Sequence, residues 1–158
     1  MPRVLQGRTN CLRSENAIEF VKGKMKVFAI RLKPNADLRQ SLKLFAAENR
    51  IEAGFILSSI GSLTQAAIRF ADQPKSEILT ERFEIVSLNG TLSIHGVHLH
   101  MAISDSTGRT IGGHVDNGCL IYTTAEIIIG ESEELTFLRT IDPQTGFLEL
   151  DIKPRSAD

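Results

Sequence analysis

The sequence predicts an α+β fold, in which a mostly antiparallel, twisted sheet packs against one main helix in a single domain. Only one segment, Leu38 to about Glu48, repeats its apolar residues at helical spacing. Many other segments alternate polar and apolar residues or are rich in β-branched residues, with turn-forming residues between them. The length of 158 residues fits one domain with a core of its own.

The first elements of this fold are a strand and the helix. Lys26–Leu32 is predicted as a strand that ends before Pro34. Asn35 or Asp37 can then cap the helix, because either side chain can accept a hydrogen bond from its first turn.

Nine further strand segments follow the helix. Phe55–Ile60 and Ala66–Phe70 are predicted as two of them, with a turn at Gly61-Ser62. Asn89-Gly90 predicts a second tight turn. The last two segments are expected to complete the sheet on either side of a turn at 142–146. The other seven segments are Glu81–Leu88, Thr91–Ile94, Val97–Ser104, Arg109–Val115, Leu120–Ile129, Glu134–Arg139 and Phe147–Ile152.

Composition excludes some classes of function. The formal net charge of -1 gives no support to a nucleic-acid binder that relies on overall charge. Charge is uneven, however, because Met1–Lys26 holds six Lys or Arg residues against two Glu residues. The simplest interpretation of 1–23 is a solvated basic arm. Two distant cysteines and the lack of a long apolar run favour a reduced, cytoplasmic protein with no membrane partner.

All four histidines fall in one window of 20 residues, His95 to His114. His98 and His100 are two residues apart on a predicted strand, so they share one face. Residues between and around them, such as Leu99 and Met101, form an apolar face that should meet the core. His95 is separated from the pair by Gly96 and stands apart from this geometry.

The position of His114 depends on the loop that precedes it. A two-residue loop would pair Asp105 with Gly108 and place His114 across from Leu99, on the core face. A three-residue loop with Gly108 in the left-handed bulge position would instead pair Asp105 with Arg109, and His114 with His100. The second loop suits the residues better, because glycine adopts that conformation without steric cost.

Three imidazoles on neighbouring strands can bind one metal ion, so we predict a site for zinc or another divalent cation at His98, His100 and His114. Asp116 or Glu126 could orient an imidazole or act as a further ligand, and His95 is another alternative for that role. Glu126 is the candidate general acid or base if it shares the same pocket. The alternative is that the histidines are polar residues on a solvated or subunit-facing sheet.

The stretches ERFEIVSLNGTLS, GVHLHMAISDSTGRTIGGHVDNGCLIYTTAEIIIG and GFILSSIGSLTQAAIRF resemble the plants-and-prokaryotes conserved (PPC) domain. The resemblance covers about 24–154, followed by a tail at 155–158. It implies an antiparallel sheet against a helix, a homotrimer, and kinship with acetolactate-decarboxylase-like folds in which histidines hold zinc. By that likeness His98, His100 and His114 are the metal ligands.

Plant members of this family carry Arg-Gly-Arg-Pro segments that bind DNA, and this chain has none. A DNA-binding role would depend on the basic arm, with Arg3, Arg8 and Arg13 as its candidates. Three functions therefore remain open. They are a trimeric metal protein acting as a lyase or hydrolase on a small oxygen-rich substrate, a DNA-binding or regulatory module, and a scaffold without chemistry.

Overall fold

The structure is a computed structural model that describes residues 23–155. The basic arm with Arg3, Arg8 and Arg13 lies outside the described residues. Among the described residues, one helix and nine strands occur in chain order: β1 (Met25–Leu32), α1 (Leu38–Glu48), β2 (Gly54–Arg69), β3 (Glu77–Leu79), β4 (Phe83–Ser93), β5 (Gly96–Ser104), β6 (Thr110–Val115), β7 (Leu120–Ser132), β8 (Leu135–Ile141) and β9 (Leu148–Pro154).

Seven of these strands form one antiparallel sheet in the order β1-β7-β2-β4-β5-β6, with β3 beside β2. The end of β2 also pairs with β6, so β2, β4, β5 and β6 close into a ring of strands. The antiparallel sheet, the single helix and the single domain are confirmed. The predicted α+β class is corrected to a predominantly β fold, because the helix has only 11 residues and most of the described chain is in strands. Within 23–155 no helix has the length and apolar character needed to cross a membrane.

The helix forms where the sequence predicts it. Asp37 is its N-cap, and the Asp37 carboxylate accepts a hydrogen bond from the Gln40 amide at 2.9 Å. Leu38, Leu42 and Ala46 are fully buried, because their spacing places them on one face against the sheet. The second carboxylate oxygen of Asp37 accepts from the Gly118 amide at 2.5 Å, which ties the start of the helix to the loop before β7.

Two predicted turns are instead interior positions of long strands. Gly61 lies inside the 16-residue β2, where irregular pairing surrounds it, and Gly90 lies inside β4. A Cβ on Gly61 would stand 2.3 Å from the Thr124 carbonyl oxygen, and one on Gly90 only 2.0 Å from that of His98. These glycines permit close approach of two backbones rather than a reversal of the chain. The reversal after β4 occurs at Ile94-His95.

The last two strands do not complete the main sheet. Within the part of the chain that the structure describes, β8 and β9 pair only with each other and form a separate hairpin. The turn at 142–146 is present as predicted, with the Gly146 amide donating to the Asp142 carbonyl at 2.8 Å. The hairpin is attached by hydrogen bonds from Ser93 Oγ to the Phe137 carbonyl at 2.7 Å and from the Phe137 amide to the Glu52 carbonyl at 2.8 Å. These attachments hold β8 beside the start of β5, which carries the histidines.

Candidate metal centre

The β5–β6 hairpin has the three-residue loop that brings His114 opposite His100. The Asp105 amide donates to the Arg109 carbonyl at 3.0 Å, and Gly108 has a φ of 83°. The Asp105 carboxylate also accepts from the Thr107 hydroxyl and from the amides of Thr107 and Arg109. These hydrogen bonds, that of the hydroxyl first, hold the pKa of Asp105 below its usual value. The loop is therefore fixed by its own residues, and it sets the register of the histidines.

The two faces of β5 separate core from site as predicted. Leu99, Met101 and Ile103 are buried in the core, while His98 is half-buried and His100 is exposed on the opposite face. Strand alternation alone produces this division. Any group bound by the histidines thus lies outside the main core.

The three imidazoles cluster closely. The ring centroid of His98 lies 5.2 Å from that of His100 and 5.1 Å from that of His114, and the centroids of His100 and His114 are 5.6 Å apart. Each ring offers one nitrogen within 4.8 Å of the nitrogens offered by the other two. The three rings are therefore close enough to serve together as ligands of one metal ion.

His114 has the environment expected of a ligand. Its Nδ1 is buried and has no hydrogen-bond partner among residues 23–155, while its Nε2 lies 3.7 Å from a carboxylate oxygen of Asp116. Burial, the dominant cause, lowers the pKa of His114 to about 4. The ring is therefore neutral near pH 7, which is the form that binds metals. A cation bound at Nδ1 would satisfy the unpaired nitrogen, and Asp116 would orient the ring from the other side.

His98 contacts an arginine that was not among the site residues predicted from the sequence. Arg139 of β8 places Nη2 3.1 Å from His98 Nδ1. Burial first, then the Arg139 and His100 charges, lower the pKa of His98. Arginine can only donate, so it bonds His98 only when Nδ1 carries the ring's single lone pair. A neutral imidazole cannot offer that lone pair to Arg139 and a second one to a metal ion.

Two open cavities meet the histidine cluster. A cavity of about 410 Å³ is bounded by His98 and His100, and one of about 650 Å³ by His98 and His114. The β8–β9 hairpin supplies Arg139 and Glu149 to both. No motif in the sequence marks either residue, since their approach depends on how a separate hairpin docks on β5.

The other predicted site residues are not part of the cluster. His95, in the turn before β5, places Nε2 3.5 Å from a carboxylate oxygen of Glu52 and borders only the larger cavity. Glu126 is exposed on β7, opposite Arg31 and Ile60, and borders neither histidine cavity in this chain. Asp116 contacts His114 and also accepts a short hydrogen bond from Ser76.

Comparison with known proteins identifies a family and several relatives that this chain resembles. Residues 20–133 match the Plants and Prokaryotes Conserved (PCC) domain. A curated relative, the bifunctional protein GlmU of Synechococcus sp. (strain JA-3-3Ab), is 52% identical over 131 residues, which are 83% of this chain but only 21% of that protein. The chain thus spans about a fifth of the length of this relative.

Two solved structures share the fold over nearly their whole length. A hypothetical protein from Salmonella cholerae-suis is 40% identical with a TM-score of 0.84, over 86% of this chain and 99% of the other. A metal-containing protein from Archaeoglobus fulgidus is 27% identical with a TM-score of 0.72, over 84% of this chain and 99% of the other.

Proposed function

The chain belongs to the Plants and Prokaryotes Conserved domain family, and we propose that it is a divalent-metal-binding member of that family, with His98, His100 and His114 as the ligands. The observation that carries this proposal is the buried Nδ1 of His114, which lacks a partner within 23–155 and lies in a cluster of three imidazoles. A buried nitrogen without a partner is costly, and a bound cation would remove that cost. The metal-containing relative from Archaeoglobus fulgidus supports the same conclusion.

Zinc is the cation we favour, because three imidazoles in a cluster suit it and leave a fourth position for water or substrate. Such an ion would supply Lewis acidity or an activated water to the site. The chain's own contribution is to hold the rings: Asp116 orients His114, and the hairpin register fixes His100 beside it. The enzymatic form of the proposal is a lyase or hydrolase that acts on a small oxygen-rich molecule.

Metal analysis of protein purified without an affinity tag tests this proposal. We expect about one zinc ion per chain in the natural protein, and a loss of most of it in the double variant His98→Ala/His100→Ala. His95→Ala is the matched control, because it removes an imidazole near the larger cavity but outside the cluster. Zinc well below one ion per chain in the natural protein, unchanged by the double variant, would contradict the proposal.

We further propose that the chain forms the homotrimer expected from its family and acts in the cytoplasm. The face of β1 turned away from the core exposes Met25 and Val27, and Ile60 of β2 is also exposed. Apolar side chains of this size on an uncovered sheet face are typical of a subunit interface. Light scattering should give three times the 17.4 kDa of one chain, and Val27→Glu combined with Ile60→Glu should lower the measured mass.

A second candidate function is association with DNA through the basic arm, where six Lys or Arg residues stand against two Glu residues in Met1–Lys26. Three arms in a trimer would raise avidity. This role predicts salt-sensitive binding to A/T-rich duplex that disappears when residues 1–24 are removed. Absence of any shift at low salt would count against it.

A further inference from the structure

The larger histidine cavity is strongly cationic. Arg39 of α1, Arg69 of β2 and Arg139 of β8 border it, and Glu149 is the one carboxylate among its bordering residues. Arginine stays protonated at any physiological pH, so the side chains that border the cavity carry a net positive charge even without a metal ion. A volume of about 650 Å³ is in the range of sites for small molecules.

Arg139 is held in this cavity from several sides. Its Cγ packs against Gly96, where an added Cβ would lie only 2.8 Å away. Its Nη2 donates to the Leu148 carbonyl at 2.6 Å and reaches His98 Nδ1 at 3.1 Å. These contacts fix the guanidinium at the wall of the cavity, beside the imidazoles.

The other two arginines have hydrogen-bond donors without a partner among residues 23–155. Arg69 stands directly across from His114 in the β2–β6 pairing, and its guanidinium forms no hydrogen bond or salt bridge with a side chain of residues 23–155. Arg39 donates from Nη1 to Asn117 at 3.0 Å, but its Nε is buried and has no partner in the same part of the chain. Half-buried cationic side chains with unused donors favour an anion, most of all where a donor such as Arg39 Nε is itself buried.

Metal binding would increase this preference. If His98 binds a cation through Nδ1, the Arg139 donor is displaced from that nitrogen. If His98 binds through Nε2, its Nδ1 keeps the ring proton and can no longer accept from Arg139. Either way the guanidinium has a donor available that points into the same cavity, next to the ion.

We propose that this cavity binds a small organic carboxylate, with Arg139 and Arg69 as the residues that recognise its charge. The inference deepens the proposed function, since it gives the chemical class of the molecule presented to the histidine site. The planar fork of arginine matches a carboxylate in two parallel hydrogen bonds. Glu149 also borders the cavity, where its carboxylate would accept a hydrogen bond from a hydroxyl or amino group of a ligand that carries one.

Calorimetric titration of the zinc-loaded and zinc-free full-length protein with succinate tests the proposal, with the uncharged diamide of succinate as the control ligand. We expect succinate to bind and the diamide not to bind. Arg139→Gln should weaken succinate binding by about 10-fold to 100-fold, the usual effect of losing a hydrogen bond to a charged group. Lys153→Gln is the matched control, because it removes one positive charge from the same hairpin outside both histidine cavities.

Arg69→Gln provides a second variant that leaves the hairpin intact, and it should weaken succinate binding in the same direction. Zinc content is measured on every variant, so loss of metal and loss of carboxylate binding are separate results. Three outcomes would overturn the proposal: equal binding of succinate and its diamide, unchanged affinity in both arginine variants, or binding of inorganic phosphate in place of succinate with the same arginine dependence.

Discussion

Substitution of Gly108 tests the loop that sets the histidine register. Gly108 has a φ of 83°, and an added Cβ would meet nothing within 4 Å. Gly108→Ala therefore costs only the backbone term, about 1–2 kcal/mol for an alanine held in the left-handed region. The reduced freedom of the unfolded chain offsets about 0.4–1 kcal/mol of this, so we expect a net loss of about 1 kcal/mol in unfolding free energy.

Gly108→Asn separates the backbone effect from the loss of glycine. Asparagine enters the left-handed region at lower cost, so this variant should be more stable than Gly108→Ala. Gly146→Ala is the matched control in the other hairpin, because its φ of 74° and open surroundings predict a similar loss. Urea unfolding at one fixed protein concentration measures all three, since stability of an oligomer depends on concentration.

A Gly108→Ala variant as stable as the natural protein would refute this reasoning. It would mean that residue 108 is not left-handed and that Asp105 pairs with Gly108 in a two-residue loop. That register would place His114 across from Leu99 and would separate it from His100. Zinc content should stay unchanged in Gly108→Ala, because both strands persist on either side of the loop.

Three further predictions concern protonation, reactivity and packing. The pKa of His114 is lowered to about 4, whereas histidine in the unfolded chain protonates near pH 6.5, so the metal-free protein should lose stability as pH falls from about 6.5 towards 4. His114→Asn should flatten this pH dependence of the unfolding free energy, measured by urea unfolding at several pH values. Equal slopes for the variant and the natural protein would contradict the prediction. Burial raises the pKa of Cys119 to about 11, so in a Cys11→Ser background the folded protein should react slowly with a disulfide reagent and fully in urea; rapid reaction of the folded form would mean that Cys119 is accessible. Leu99→Ala should cost about 2–5 kcal/mol in unfolding free energy, because Leu99 is fully buried on the core face of β5. Thermal unfolding that matches the natural protein would place Leu99 outside the core.

The histidine hairpin could be predicted from the sequence because its determinants are local. Strand alternation assigns His98 and His100 to one face, and Gly108 selects the loop that pairs His100 with His114. The helix is also local, since its cap at Asp37 and its buried face are encoded within a dozen residues. In both places the chemistry of neighbouring residues favours one structure over its alternatives.

The features that could not be predicted depend on contacts between distant segments. Gly61 and Gly90 match turn signals, and only the approach of the β7 and β5 backbones shows why glycine is needed there. Arg139 contacts His98 because the β8–β9 hairpin docks on β5, and no motif in the hairpin sequence indicates where it docks. Glu126 belongs to a strand whose exposed face borders neither histidine cavity, a position fixed by the order of strands in the sheet.

The most direct test of the metal centre is anomalous diffraction at the zinc absorption edge, from crystals of the full-length protein grown with zinc at about one equivalent. The geometry predicts one strong peak per chain within about 2.0–2.1 Å of a ring nitrogen of each of His98, His100 and His114. A peak located elsewhere, or no peak in crystals whose protein holds one zinc ion per chain by metal analysis, would contradict the account.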